Sequence, residues 1–389
     1  MNKLDVKQLL ATATERTGGL NDFGPDDFLE GLEVLVKGLN TDAGIREDSW
    51  DQVREQRILR SLVNRLWFAK DLKDHPEILD EDLGSPVIMA GLVRTGSTKL
   101  HRTLAASGGF QALRFWSVNM FSRIPGEPDG GRARRIRETR QQEAWMYATS
   151  PDVHLGHPLY TEEAEEDQWM MEATFRHPLI FGMFASPTYA QWIAQADMRP
   201  TFDYYIKQLK YLQWQFPEQR GKPWLVKTPN HFGSESFLTS IFDKPPRFLF
   251  THRDPAKCIP SIVSTVMPMR ALYTDRDTRH SFGAEVIAMY AHGANEHLRW
   301  RDSHPGNPMI DISFRDITQR GIDTVHRIYD FLGMPFTAAA EQGVRDWEAA
   351  NPKDKHGKAE YSPADLGSTE EAIRTAFKPY VERFADYIG

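Results

Sequence analysis

Residues 86–101 read Pro-Val-Ile-Met-Ala-Gly-Leu-Val-Arg-Thr-Gly-Ser-Thr-Lys-Leu-His, and no other stretch limits the fold so tightly. The apolar run from Val87 to Ala90 enters a loop carrying Gly91 and Gly96, then two hydroxyls, Ser97 and Thr98. A helix-like pattern follows from Leu100 to Leu104. Strand, glycine loop and helix in this order hold an anion, usually a phosphate, on backbone N–H groups at a helix N-terminus. The spacing is nearly that of the nucleotide-binding Gly-x4-Gly-Lys-Ser/Thr loop, but Ser97 stands where the lysine belongs. That lysine reaches the β- and γ-phosphates of a triphosphate, so its absence argues against ATP or GTP. The basic group lies inside the loop instead, at Arg94.

Short apolar runs then alternate with helical patterns. Strands are predicted at 87–90, 224–226, 248–251 and 309–314, with helices from 97, over 256–266 and over 318–332. Such alternation gives an α/β fold, a parallel β-sheet flanked by helices. Gly333-Met334-Pro335 is a helix stop. Apolar spacing of three and four over 3–12, 25–39 and 51–72 marks a helical N-terminal segment, 1–84, suited to packing on the main domain or to forming a homodimer. The α/β domain takes in 85–389, with an aromatic-rich helical insertion at 150–217 that suits a substrate lid. Residues 351–368 read as a loop before a last helix at 369–386.

The formal net charge is −7, which argues against a nucleic-acid partner and leaves an anionic ligand to be held by local positive charge. The one cysteine, Cys258, excludes a disulfide within the chain and a cysteine-based metal site. No apolar run approaches the length of a membrane span, and the N-terminal residues lack the apolar core of a signal peptide, so the chain reads as cytoplasmic.

Arg94-Thr95-Gly96-Ser97-Thr98 resembles the 5′-phosphosulfate loop of sulfotransferases that use 3′-phosphoadenosine 5′-phosphosulfate (PAPS). A second segment strengthens the resemblance. Arg247-Phe-Leu-Phe-Thr-His-Arg-Asp-Pro255 reads as a strand entering a turn, and Ser261 follows Arg253 by eight residues, as in the family's 3′-phosphate pair. The resemblance extends over about residues 85–385 in element order, and to the two motifs in residue detail. It implies a P-loop-like phosphosulfate loop in which Arg94, Thr95, Gly96, Ser97, Thr98 and Lys99 bind the donor. It further implies that Arg253 and Ser261 hold the 3′-phosphate, and that the basic loop with His356, Gly357 and Lys358 closes over it. Pro260 would sit inside the helix that carries Ser261, where it removes a hydrogen bond and bends the chain.

The implied reaction is sulfonate transfer from PAPS to a hydroxyl of a small-molecule or lipid-like acceptor, leaving 3′,5′-ADP. It needs alignment and charge stabilisation and no metal if cations surround the leaving oxygen. Arg94 and Lys227, which ends the strand Trp-Leu-Val-Lys, are the expected catalytic cations. Lys227 as a solvated strand-end lysine is the bland alternative.

A base must take the acceptor proton. Pro229 occupies the place where cytosolic family members carry their histidine, so His231 is the nearest imidazole. Other sulfotransferases use a glutamate. The acidic run Thr161-Glu-Glu-Ala-Glu-Glu-Asp167 offers Glu163 and Glu166; on a helix Glu162 would share a face with Glu166 and Glu163 with Asp167. A solvated helix face is the ordinary fate of such a run. His101 reads as a core histidine. The alternative from another class is a degenerate P-loop binder of nucleotide or phosphate without transferase activity, which needs neither Lys227 nor a base; a P-loop kinase lacks its lysine.

Overall fold

Alternate residues of each strand serve opposite faces of the sheet, and helices bury both. In β1 (Val87–Gly91), Val87 and Met89 pack with Leu100, Leu104 and Ile328, while Ile88 and Ala90 face a larger cluster. The other strands are β2 (Gln111–Ala112), β3 (Trp224–Lys227), β4 (Arg247–His252) and β5 (Met309–Ser313). All pair in parallel, in the order β2-β3-β1-β4-β5, with Val87 opposite Leu225 on one side and Arg247 on the other. The computed structural model describes residues 4–352 and 360–389. The parallel α/β architecture is the one expected. β2 was not, because two residues carry no readable pattern.

The helices Ser97–Ala106 and Gly321–Leu332 line one face of the sheet, and Pro255–Arg270 and Arg279–Ser303 the other. Gly333 stops its helix in the left-handed region, at φ 64°. Two expected helices are divided. The one over 318–332 is Phe314–Gln319 followed by Gly321–Leu332, and the last is three short pieces, Glu370–Ala376, Lys378–Arg383 and Ala385–Ile388.

The N-terminal segment forms the helices Val6–Arg16, Phe28–Thr41 and Arg60–Asp74, the last entered through a π-wound stretch, Val53–Leu59. Leu9, Phe28, Leu32 and Phe68 belong to the same apolar cluster as Phe248 and Phe250 of β4. This segment also grips residues farther along the chain. Glu172 is paired to Arg57 at 2.6 Å and Arg60 at 2.5 Å, with Glu172 and Arg57 buried and Arg60 partly so, and Arg65 donates to the carbonyl of Ala173 at 3.1 Å. Among the described residues no helix is long and apolar enough to cross a membrane.

Candidate active site

Parallel strands place their following loops at one edge of the sheet, where α/β folds bind ligands. The loops after β1, β3 and β4 meet there around a cavity of about 620 Å³. The loop after β1 is set by backbone demands. Gly91 has φ 151°, and a β-carbon there would lie 2.4 Å from the Thr251 carbonyl oxygen. Gly96, at φ 84°, is the N-cap of Ser97–Ala106, and Arg94 adopts a left-handed φ of 63° without being glycine. Thr95 is buried; its hydroxyl donates to the Leu92 carbonyl at 2.9 Å and meets the Thr251 hydroxyl at 2.6 Å. Its side chain therefore anchors the loop and does not line the cavity.

Arg94, Gly96, Ser97 and Thr98 line the cavity together with Lys227, Arg253 and Ser261. Arg94 Nε donates to Ser261 Oγ at 3.1 Å, and Arg253 Nη1 donates to the Arg94 carbonyl at 2.9 Å. The Arg253 guanidinium lies over the Phe314 ring, 4.1 Å from its centre. Among the described residues neither arginine forms an ion pair with an acid. Burial pulls the Arg94 guanidinium below its ordinary pKa, and the charge of Arg253 adds to this. Two adjacent guanidiniums beside a helix N-terminus make an anion site. Ser261 reaches it because its helix, Pro255–Arg270, runs through Pro260 without ending there.

Lys227 is 3% exposed. Its ammonium is paired with Glu166 and donates to Thr98 Oγ1 at 3.2 Å. A second hydrogen bond to Glu166 comes from Gln168. The cavity then turns apolar, with Trp169, Leu179, Phe181, Met269, Phe282 and Met289 among its walls. Burial raises the Tyr290 phenol above its usual pKa, and the charge of Glu166 reaches it from across the cavity.

Several expected site residues stand elsewhere. Residues 161–167 are not helical; Ala164 bridges to Arg114, so the expected shared faces do not exist. Glu163 accepts from Trp347 Nε1 at 3.2 Å and lies in a separate surface groove with Arg140 and Tyr160. His231 is fully buried, its Nε2 2.8 Å from Asp167 Oδ2, which also accepts from Tyr205 at 2.6 Å. The turn Pro229–His231 sends Asn230 into the cavity and His231 into the core, so His231 is not placed to meet an acceptor. Lys99 points away, 3.2 Å from Glu348. His101 is buried, as expected, and its pKa falls to about 3 through loss of solvation. His356, Gly357 and Lys358 lie outside the described residues.

Sequence reading passed over Gln168 and Asn230 and named Asp167 only as the end of the acidic run; the aromatic-rich insertion it marked supplies Trp169, Leu179 and Phe181 to the apolar wall. Buried acids beside Tyr160 and Trp169 were the available signal, because a carboxylate inside a core needs a partner. His157, Glu165 and Glu166 place ligand-type atoms within 4.8 Å of one another. Yet Arg102 already pairs with Glu165 at 3.0 Å and Lys227 with Glu166, so the trio does not fit a cation.

The profile of the sulfotransferase family matches residues 86–338. No curated protein matches the sequence significantly. Sulfotransferase STF1 from Mycobacterium tuberculosis, a solved structure, is 24% identical, with a TM-score of 0.80 over 97% of this chain and 99% of its own. Sulfotransferase STF9 from Mycobacterium avium is 22% identical, with a TM-score of 0.83 over 99% of this chain and 98% of its own.

Proposed function

The chain belongs to the sulfotransferase family, and we propose that it transfers a sulfonate from PAPS to the hydroxyl of an acceptor with an apolar body. Arg94 and the N–H groups of the loop that ends at Thr98 hold the phosphosulfate, and Arg253 with Ser261 holds the 3′-phosphate. Glu166 accepts the hydroxyl proton as the acceptor oxygen bonds to sulfur. The bond from sulfur to the phosphate oxygen breaks, its electron pair staying on that oxygen, and 3′,5′-ADP leaves. Lys227 lies where it can neutralise charge on the sulfonate and the leaving oxygen, which is the main task of a protein in such a transfer. The apolar walls suit a hydrophobic acceptor and exclude water from the reaction.

One observation carries this reading: a buried ammonium, Lys227, shared between the loop hydroxyl of Thr98 and the carboxylate of Glu166. A protein that only binds phosphate has no use for an acid–base pair at the phosphate loop. Incubation with PAPS and a panel of apolar alcohols and phenols, with chelator present, is expected to give 3′,5′-ADP and sulfate ester in equal amounts. Turnover of ATP with no use of PAPS would overturn the proposal.

A further inference from the structure

Behind Glu166 runs a chain of amides whose hydrogen bonds do not close in the ionised state. Glu166 Oε1 is paired with Lys227, and Oε2 accepts from Gln168 Nε2. Gln168 Oε1 accepts from Asn230 Nδ2 at 3.1 Å, and the same nitrogen stands 3.4 Å from His177 Nε2. The state of His177 is fixed from its other side. Its Nδ1 accepts the N–H of Leu179 at 3.1 Å, capping the helix Pro178–Met183. Burial holds the ring neutral, its pKa pushed down to about 3. A neutral imidazole that accepts at Nδ1 carries its proton at Nε2. Two donors, Nε2–H and the Asn230 amide, therefore face each other.

The oxygen and nitrogen of a carboxamide exchange places by a half-turn. Turning Asn230 gives His177 an acceptor, but it also presents oxygen to Gln168. Gln168 must then turn as well, and its Oε1 meets Glu166 Oε2. Two acceptors oppose each other there while Glu166 is ionised. Once Glu166 carries a proton on Oε2, every pair has one donor and one acceptor.

We propose that Gln168 and Asn230 are positioning residues of a relay, anchored by His177, that is satisfied only when Glu166 holds the proton taken from the acceptor. The relay acts through Glu166 and rests on the reading of Glu166 as the base. By stabilising the protonated carboxyl it raises the proton affinity of Glu166 and so favours proton uptake during transfer. The other groups facing Glu166 are Lys227 from β3, Arg94 from the loop, His157 and Glu165 from the preceding chain, and Tyr290 from Arg279–Ser303. All of them persist when Asn230 is replaced, so variants at Asn230 isolate the relay.

The test is the acid limb of kcat/KM against pH in two variants, with 3′,5′-ADP binding as the check of folding. Asn230→Ala removes the mismatch and leaves Gln168 free to donate to ionised Glu166. The acid limb is expected to move to lower pH by about 0.5–1 unit, the scale of one net hydrogen bond. Asn230→Asp adds a fixed acceptor and a negative charge, and is expected to move it to higher pH. Acid limbs that stay put in both variants, or move in the same direction, would overturn the relay while an inactive Glu166→Gln enzyme still upheld the base. Turnover by Glu166→Gln would refute the base reading and the relay with it.

Discussion

Arg94 holds a left-handed φ of 63°, a backbone that a side chain with a β-carbon rarely adopts and that persists where the surroundings fix it. Arg253 supplies part of that fixation through its bond to the Arg94 carbonyl, so the two cations are locked together before any anion arrives. Both were legible in the sequence because each lies in a short motif whose spacing sets its geometry. His231 was misread for the opposite reason. Its partner Asp167 lies on a distant stretch of chain, and nothing local reveals that a carboxylate waits in the core. Replacing Arg253 by alanine is expected to weaken 3′,5′-ADP binding about ten- to a hundredfold, the cost of one charge-assisted contact. Binding of 5′-AMP should change little. Calorimetry with both ligands decides the matter, and equal losses would assign Arg253 to loop support alone.

At the scale of elements, β1, β3 and β4 were readable because buried parallel strands are nearly continuous apolar runs, and the partly buried edge strand β5 was readable from Met309, Ile310 and Ile312. The acidic stretch 161–167 was not. Weighed as a helix that either faces solvent or offers Glu163 or Glu166 as a base, it is non-helical chain in which Glu165, Glu166 and Asp167 are buried against Arg102, Lys227 and His231, each from another element. Periodicity describes how a segment meets solvent and says little about one that meets charged partners on every side. Two helices carry buried neutral imidazoles with a consequence for stability. His101, on Ser97–Ala106, and His177, capping Pro178–Met183, are each pushed down to about 3 by burial. In the unfolded chain a histidine titrates near ~6.5. Between these values the unfolded state binds more protons, so stability is lost as pH falls from 6.5 toward 3. The slope from each histidine is at most about 1.4 kcal/mol per pH unit. Denaturant midpoints should drop from pH 7 to pH 5, and His101→Met should flatten that dependence. A midpoint unchanged or higher at pH 5 would contradict the assignment.

Over the whole molecule, one apolar cluster extends from Leu4 to Phe384, so the N-terminal helices are joined to the sheet and not appended to it. Their arginines fix Glu172 and the Ala173 carbonyl, a few residues beyond Glu166 and Gln168, so the far end of the chain steadies the acidic side of the cavity. The sheet presents the glycine loop after β1, and the helices after 167 present the apolar wall. Lys227 and Glu166 stand where the two meet. That juxtaposition is the centre of the account, and Glu166→Gln tests it most directly. The substitution keeps the size and a hydrogen-bond acceptor for Lys227 but cannot take a proton. In a single-turnover experiment with enzyme-bound PAPS, this variant is expected to retain 3′,5′-ADP affinity and to lose about 10²–10⁴ in the rate of sulfate ester formation. Ester formation at the unaltered rate, with donor affinity also unaltered, would contradict it.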